Sequence, residues 1–374
     1  MNEAMFSFAR KEKAVPPDGS AGEAADAGSE IPPLGDRMGR LRVHEVCDAD
    51  EQAANITAWY QEYDQISAGK FHGMTSEVWL GRTQFYLERT NRALRQTCVV
   101  WPGAFWFGLP CYGDGMDARV DIFPLKNDAI VVRPGSVDFE LLTPNVCDIL
   151  GIVIGEDVLA RHLEAVGSPE LMEAARRGRV FSVGSERRGD FWRHLFRTLE
   201  NVKRMSEAGG VPETVCGVME EEIVSGLIDL VADSAGMGTP RQSKLNRRKV
   251  VSRAREYLLA HPDQVISITD LCENLYVSRR TLQNCFQEVL GVCPLSYIKA
   301  LRLNAVRRAL KEGALCGSRT VQDVATAHGF WHMSQFAADY RRQFQELPSE
   351  TLRGGGAEDR GQKIEDRALT TFAL

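Results

Sequence analysis

The spacing of apolar residues changes character near residue 155. Before that point the apolar runs are short or alternate with polar residues, and Pro or Gly separates them, which is typical of strands. Turn signals such as Trp101-Pro-Gly and Arg133-Pro-Gly favour an antiparallel, cupin-like barrel or sandwich. The predicted strands are residues 78–87, 94–101, 105–109, 129–133, 137–142 and 149–154, preceded by a predicted helix over residues 56–66.

Beyond residue 155 the apolar residues recur at helical spacing, so the fold class is predicted to be α+β. Predicted helices cover residues 157–165, 170–176, 191–205 and 213–231. They are expected to cover one end of the β-rich part or to form a dimer seam. The predicted organisation is a disordered tail over 1–40, a β-rich domain over 41–155, a helical region over 156–231, a linker over 232–246, an all-α domain over 247–353 and a tail over 354–374.

The last third of the chain contains an internal repeat. Ile268, Asp270 and Leu271 recur 53 residues later, whereas Leu282 and Phe286 recur 54 residues later. An extra residue that leaves the spacing on both sides intact belongs in a turn between two helices. The repeated unit is therefore predicted to be a helix-turn-helix, and a tandem pair of such units is typical of DNA binding.

In the first unit, Ser267 and Ser278 are predicted N-caps and Gly291 a left-handed C-terminal residue. One face of the second helix carries Leu282, Cys285, Phe286 and Val289 and is the predicted core. The other face carries side chains that bind guanine or adenine edges in other proteins, although a solvated polar face is the alternative. The candidate DNA-binding residues are Arg279, Arg280, Thr281, Gln283, Asn284 and Gln287.

In the second unit, Phe336, Tyr340 and Phe344 form the predicted core face. Ala338 and Asp339 are expected to point outward. The candidate DNA-binding residues of this unit are His332, Met333, Ser334, Gln335, Arg341 and Arg342, a set poorer in base-reading groups than the first. Between the units, residues 294–311 form a predicted connecting helix, whose inner face is expected to comprise Leu295, Ile298, Leu301, Ala305 and Leu310.

Charge supports this division of the chain. The net charge is −6, yet residues 241–353 hold 18 Lys and Arg against 10 Asp and Glu. The positive field that phosphate binding requires is thus confined to the C-terminal part. The nine cysteines include no Cys-x-x-Cys, and no export signal or membrane span is recognised. We therefore expect a cytoplasmic protein without a membrane partner.

The motifs of residues 247–353 resemble the AraC family of bacterial transcription factors. They are Ser278-x-x-x-Leu282-x-x-x-Phe286, Gly291-x-x-Pro294, Gly329-Phe330, Ser334-x-Phe336-x-x-x-Tyr340 and Pro348. The resemblance implies an activator with double-stranded promoter DNA, RNA polymerase and a small-molecule effector as partners, acting as a homodimer. The chain departs from the family at Asn284 and Ala338, where Arg is common, and at Gln345, where a helix-ending Gly is common.

Further phrases resemble, within this family, the regulators of ethanolamine-utilisation operons. They lie in both halves of the chain and include Gly69-Lys70-Phe71-His72-Gly73, Trp101-Pro102, Phe105-Trp106-Phe107-Gly108 and Gly329-Phe330-Trp331-His332. The resemblance implies ethanolamine together with adenosylcobalamin as effectors. A regulator of another amine or catabolic operon, with a different inducer, is the alternative.

An aromatic stretch in the β-rich domain is the candidate effector pocket, because aromatic cages suit organic cations. The candidate residues are Trp101, Phe105, Trp106, Phe107 and, as counter-charge, Glu140, with Asp138 as its alternative. Ordinary core packing is the other interpretation. A metal enzyme in the barrel is disfavoured because the seven histidines form no ligand motif, so we expect neither catalytic activity nor a catalytic cofactor.

Overall fold

The computed structural model describes residues 38–354, except 114–117, 122, 167, 233, 235–241, 262–263, 265 and 317–319. Residues 1–37, residues 355–374 and most of the predicted linker therefore lie outside the described residues. The helices and strands in the described part belong to an N-terminal half rich in antiparallel sheet and a helical C-terminal domain.

The N-terminal half is built on two antiparallel sheets, together called the N-terminal sandwich. The first has the order β1-β3-β4-β11-β6-β9-β12, and the second the order β2-β5-β10-β7-β8. The strands are β1 (Arg42–Val46), β2 (Tyr60–Gln65), β3 (Gly73–Leu80), β4 (Thr83–Thr90), β5 (Leu94–Val99), β6 (Ala104–Tyr112), β7 (Ala118–Val120), β8 (Phe123–Leu125), β9 (Ala129–Pro134), β10 (Asp138–Thr143), β11 (Cys147–Gly155) and β12 (Val180–Ser182). A short helix, α1 (Ala49–Ala53), connects β1 to β2.

Side-chain alternation on the central strands separates two apolar clusters. On β6, Phe105 and Phe107 pack with the helices, while Trp106 packs on the opposite face with residues of the second sheet. Close approach within the sheet depends on glycine: a Cβ at Gly151 would lie 2.1 Å from Cζ of Tyr86. The second cluster fills the space between the sheets and contains Trp79, Trp101 and Phe139.

Four helices cover the outer face of the larger sheet and complete the first cluster. They are α2 (Glu156–Ala165), α3 (Pro169–Arg176), α4 (Ser185–Glu207) and α5 (Glu213–Ala232). The longest two bury Leu195, Ile223 and Leu227 against this cluster. In the described part, no single helix is long and apolar enough to cross a membrane. One pair of consecutive helices, bent by 66° at the break between them, reaches that length and composition only when the two are counted together.

The C-terminal domain is helical and has two cores. Its helices are α6 (Gln242–Ala260), α7 (Ile268–Leu275), α8 (Arg279–Leu290), α9 (Pro294–Cys316), α10 (Val321–Ala327), α11 (Met333–Phe344) and α12 (Pro348–Leu352). One core surrounds Leu271 and Phe286 and the other surrounds Val306 and Tyr340. Each helix-turn-helix unit thus has its own apolar core, with α9 contributing to both.

The structure corrects two expectations for the N-terminal half. Residues 60–65 of the expected helix are strand β2, because pairing with β5 and full burial of Tyr63 outweigh a weak helical pattern. The expected strand over 78–87 is two strands of a hairpin, whose turn contains Gly81 with a positive φ of 63°. Of the two arrangements expected, barrel and sandwich, the described residues form the sandwich, since the two sheets stay separate.

Candidate nucleic-acid interface

The N-caps of the repeated helices reproduce the repeat in the sequence. Ser267 and Thr320 each form a capping box, with Asp270 and Asp323, and stand 53 residues apart. Ser278 and His332, the N-caps of α8 and α11, stand 54 residues apart. The extra residue of the second unit therefore lies between the N-caps, as predicted. Its longer turn exposes Trp331, with 68% of its surface accessible.

Both second helices of the repeat end in a left-handed residue. Gly291 adopts φ 70° and Gln345 adopts φ 60°. In each helix the amide of this residue donates to the carbonyl four residues earlier, from Gly291 to Gln287 and from Gln345 to Arg341. The non-glycine residue at the second position does not change the backbone geometry, but an L side chain there is strained.

Helix α8 presents an exposed polar face. Leu282, Cys285, Phe286 and Val289 are buried as predicted. The exposed residues include all six sequence candidates of this helix, Arg279, Arg280, Thr281, Gln283, Asn284 and Gln287. Within the described residues, the guanidinium groups of Arg279 and Arg280 form no ion pair, whereas Gln287 Nε2 donates to Gly291 O at 3.2 Å. The two arginines are therefore available to phosphates or base edges.

Helix α11 presents a smaller polar face. His332, Ser334, Gln335, Arg341 and Arg342 are exposed, and Met333 is half-buried. Asp339 was expected to point outward, but it is 3% exposed. Lys299 Nζ of α9 donates to its Oδ2 at 3.0 Å, and Arg342 also pairs with it. These cations hold the pKa of Asp339 below its usual range although burial opposes ionisation, so Arg342 is partly committed to an intramolecular contact.

The connecting helix α9 differs from the expectation in its inner face. Leu295 was expected in the core but is 60% exposed, whereas Asn304 is buried. The reason is that the second sheet of the N-terminal sandwich covers the side of α9 that carries Asn304. The sequence contains no local signal for this contact, because Gln65 and Asn304 lie 239 residues apart.

Ion pairs join α9 to the N-terminal sandwich. Arg307 pairs with Asp48, the N-cap of α1. Arg308 Nη1 donates to Asp64 Oδ1 at 2.9 Å, and Lys311 Nζ donates to Asp50 Oδ2 at 3.2 Å. Of these three pairs, only that of Arg307 with Asp48 is largely buried on both sides, so removal of either residue would leave the other a buried charge without this partner. Their one sequence signal is the opposite net charge of the two parts.

The five effector candidates do not form one site. Trp101 and Trp106 belong to the cluster between the sheets, whereas Phe105 and Phe107 face the helices. Glu140 lies elsewhere, at the junction with the C-terminal domain. Its carboxylate accepts from Arg95 Nε at 2.8 Å and pairs with Arg255 of α6. The arrangement therefore gives Glu140 intramolecular partners of its own.

A different carboxyl lies inside the N-terminal sandwich. Glu88 of β4 is 3% exposed, and its Oε1 accepts from Gln52 Nε2 and Tyr63 Oη, both at 2.9 Å. Within the described part of the chain, no cationic side chain contacts this carboxyl, and burial raises its pKa. The rings of Tyr63 and Tyr86 lie near this carboxyl, and burial and the Glu88 charge raise the pKa of both phenols. No group of three or more His, Cys, Asp or Glu residues that could hold a metal is found among the described residues.

Comparison with known proteins identifies the C-terminal domain. Residues 271–354 match the family described as a helix-turn-helix domain. The chain is 32% identical over 165 residues to the probable thc operon regulatory protein of Rhodococcus erythropolis, covering 44% of this chain and 49% of that protein. It is 38% identical over 88 residues to the XylDLEGF operon transcriptional activator of Pseudomonas putida, covering 24% and 27%. This chain therefore spans about half the length, or less, of these curated relatives.

A solved structure matches part of the chain. It is a probable AraC family transcriptional regulator from Rhodopseudomonas palustris, 34% identical, covering 28% of this chain and 96% of that chain, with a TM-score of 0.27. Each of these proteins is named as a regulator. Through residues 271–354, the chain carries a helix-turn-helix domain and is similar to the operon regulators named above.

Proposed function

We propose that the chain activates transcription by placing α8 and α11 in successive major grooves of double-stranded promoter DNA. The observation that carries this proposal is the pair of capped recognition helices whose polar faces are exposed within a basic domain. The 23 residues of α9 correspond to about 34 Å of helix. That length is close to the roughly 34 Å between successive turns of a groove on one side of the duplex.

The test is selection of bound duplexes from a random DNA library by the full-length protein, followed by affinity measurements at several salt concentrations. A selected motif whose affinity falls steeply with salt supports the proposal, because phosphate contacts release counterions. Recovery of no motif, or salt-insensitive binding, contradicts it.

We further propose that the N-terminal sandwich binds a small cationic effector. The supporting observation is the Glu88 carboxyl, which lacks a cationic partner among the described residues, beside the rings of Tyr63 and Tyr86. A buried carboxylate without a counter-ion is costly, and an ammonium group among aromatic rings would offset that cost. By the family resemblance, ethanolamine is the first effector to test, with and without adenosylcobalamin. Another amine is the second candidate.

Calorimetric titration of full-length protein with ethanolamine, choline and glycerol tests this proposal. Saturable binding of an amine, with none of uncharged glycerol, supports a cationic effector and identifies which amine fits. Absence of binding by both amines contradicts the proposal and directs the search to another class of inducer.

We propose that residues 41–155 sense the effector, that 156–231 contribute a homodimer contact through α4 and α5, and that 247–353 bind DNA. Regulation would then involve contact with RNA polymerase in the cytoplasm. Sedimentation of full-length protein and of a variant with charge reversals on the exposed faces of α4 and α5 tests the dimer contact. A wild-type monomer at all concentrations contradicts it.

A further inference from the structure

Three amide side chains join the N-terminal sandwich to the C-terminal domain. They are Gln65, the last residue of β2, Asn304 in the middle of α9, and Gln343 in the last turn of α11. Their exposures are 2%, 5% and 7%, respectively. These three residues are called the amide cluster below.

Asn304 binds β2 as a neighbouring strand would. The backbone N–H of Gln65 donates to Asn304 Oδ1 at 3.0 Å, and Asn304 Nδ2 donates to the carbonyl oxygen of Gln65 at 2.9 Å. Asn304 Nδ2 also donates to Ala300 O at 2.8 Å, within α9. Since a primary amide offers one acceptor oxygen and two donor protons, these contacts fix its orientation.

Gln343 ties the second recognition helix to the same strand. Its Nε2 donates to Gln65 O at 2.8 Å, while its own backbone carbonyl accepts from Gln65 Nε2 and from the amide of Gly69, both at 2.9 Å. Because the groups are buried, losing one partner leaves the others desolvated and unpaired, which destabilises the junction.

The same sheet also touches the first helix-turn-helix unit. Leu142 of β10 is buried in the cluster that contains Val251, Leu271 and Phe286. Glu140, on the same strand, pairs with Arg255 of α6. The N-terminal sandwich therefore contacts both units, and the distance between their recognition helices depends on more than the connecting helix.

The position of the amide cluster on α11 determines what it can influence. Gln343 is near the C-terminal end of this helix, and Gln335 is eight residues away on the exposed face at the other end. Eight residues span about 12 Å, so a 10° tilt about Gln343 displaces Gln335 by about 2 Å. A displacement of that size breaks a hydrogen bond to a base edge, whose length varies by only about 0.5 Å.

We infer that Gln65, Asn304 and Gln343 are positioning residues. Through them, the N-terminal sandwich determines which distance between the two groove sites of a DNA duplex the protein can bind. This inference rests on the proposed DNA-binding function. It assigns to the N-terminal sandwich a part in choosing the DNA sequence, in addition to any effector that it binds.

The test uses the duplex selected by the full-length protein. The two groove sites are moved apart or together by one and two base pairs, and affinities are measured for wild type, Asn304→Ala and Gln343→Met. Asn274→Ala is the matched control, since among the described residues the Asn274 amide donates only to Asp270 O within α7. Circular dichroism and thermal unfolding identify which variants are folded.

We expect wild type and Asn274→Ala to lose at least tenfold in affinity when the spacing changes by two base pairs. Asn304→Ala and Gln343→Met should lose less than threefold, because their second unit is free to reorient. A folded variant that keeps the wild-type preference for one spacing overturns the inference. A variant whose DNA affinity falls by the same factor at every spacing also overturns it. If Asn304→Ala does not fold, the milder Gln343→Met decides the outcome. Absence of DNA binding by wild type instead overturns the proposed function, and the inference with it.

Discussion

Arg307 of α9 and Asp48, the N-cap of α1, form an ion pair whose side chains are only 12% and 8% exposed. Asp48 Oδ1 accepts from the amides of Asp50 and Glu51, so the same carboxylate caps a helix and holds another domain. Arg307 also pairs with Glu346, with Nη2 3.0 Å from Oε1. A single aspartate therefore couples local structure in the N-terminal sandwich to its docking on the C-terminal domain.

This pair predicts a pH dependence. Burial raises the pKa of Asp48, but Arg307, Lys311 and the capping amides outweigh it, so the pKa lies below its usual range. The folded state then binds the Asp48 proton less tightly than the unfolded state does. The stability that ionised Asp48 contributes is therefore fully present above its unfolded-state pKa, and it is lost as pH falls through its folded-state pKa. Asp48→Asn should cost about 1.5–3 kcal/mol at pH 7, and the difference from wild type should shrink at acid pH.

Urea unfolding between pH 3 and pH 7 measures this effect. Glu45→Gln is the control, because Glu45 is exposed and has no described ion pair. A difference between Asp48→Asn and wild type that stays constant with pH would contradict the assignment.

The two recognition helices should respond differently to truncation. Arg280→Ala or Asn284→Ala should cost about 1–3 kcal/mol on the selected duplex and relax the preference at one base pair. Arg341→Ala should weaken binding to all sequences about equally and reduce the salt slope by about 1, as expected for a phosphate contact. Fluorescence anisotropy with single-base variants of the duplex separates the outcomes, and equal losses on all sequences for Arg280→Ala would reassign it to phosphate binding.

Relief of strain at the end of α11 should stabilise the protein. Gln345 adopts φ 60° without being glycine, so Gln345→Gly should raise the free energy of unfolding by about 0.5–1 kcal/mol. Gln345→Ala keeps the Cβ and serves as the control, which should not be stabilised. A lower stability for the glycine variant would mean that the bond from Gln345 Nε2 to Arg342 O, at 3.1 Å, outweighs the strain.

The pH dependence of stability expected from Glu88 has the opposite sign to that expected from Asp48. Because burial raises its pKa, ionisation of Glu88 disfavours the folded state above the unfolded pKa, and this penalty disappears as pH falls. Glu88→Gln should therefore increase stability at pH 7, by about 1 kcal/mol, while abolishing any binding of an amine between the sheets. Thermal unfolding and calorimetry on the same variant test both effects. A variant that binds the amine as wild type does would place the effector elsewhere.

The sequence predicts the C-terminal domain well because its signals are local. Ser267 and Ser278 precede apolar residues at helical spacing, and both cap helices in the structure. Other features depend on distant residues. Asp339 has a polar side chain on a helix, yet Lys299 holds it in a buried position. Glu140 was expected to serve a ligand, but Arg255, 115 positions further along the chain, pairs with it. No pattern near either residue contains that information.

The N-terminal half shows the same limit in its secondary structure. Residues 60–65 have no strong strand pattern, and their conformation is fixed by pairing with β5 and by the buried hydrogen bond from Tyr63 to Glu88. The hairpin of β3 and β4 was predicted as one strand, because its turn at Gly81 and Arg82 interrupts apolar residues only briefly. Tertiary contacts decide both cases.

Asn304 recognises β2 through main-chain atoms, the N–H and carbonyl of Gln65, which every residue except proline possesses. The hydrogen bonds between Asn304 and this main chain therefore do not depend on which side chain stands at position 65. The binding interior could be re-engineered for another inducer, with new residues along β2, while Asn304 continues to hold the strand. Domain exchange between regulators of this type should thus tolerate varied strands at this junction, provided that the position equivalent to Gln65 is not proline.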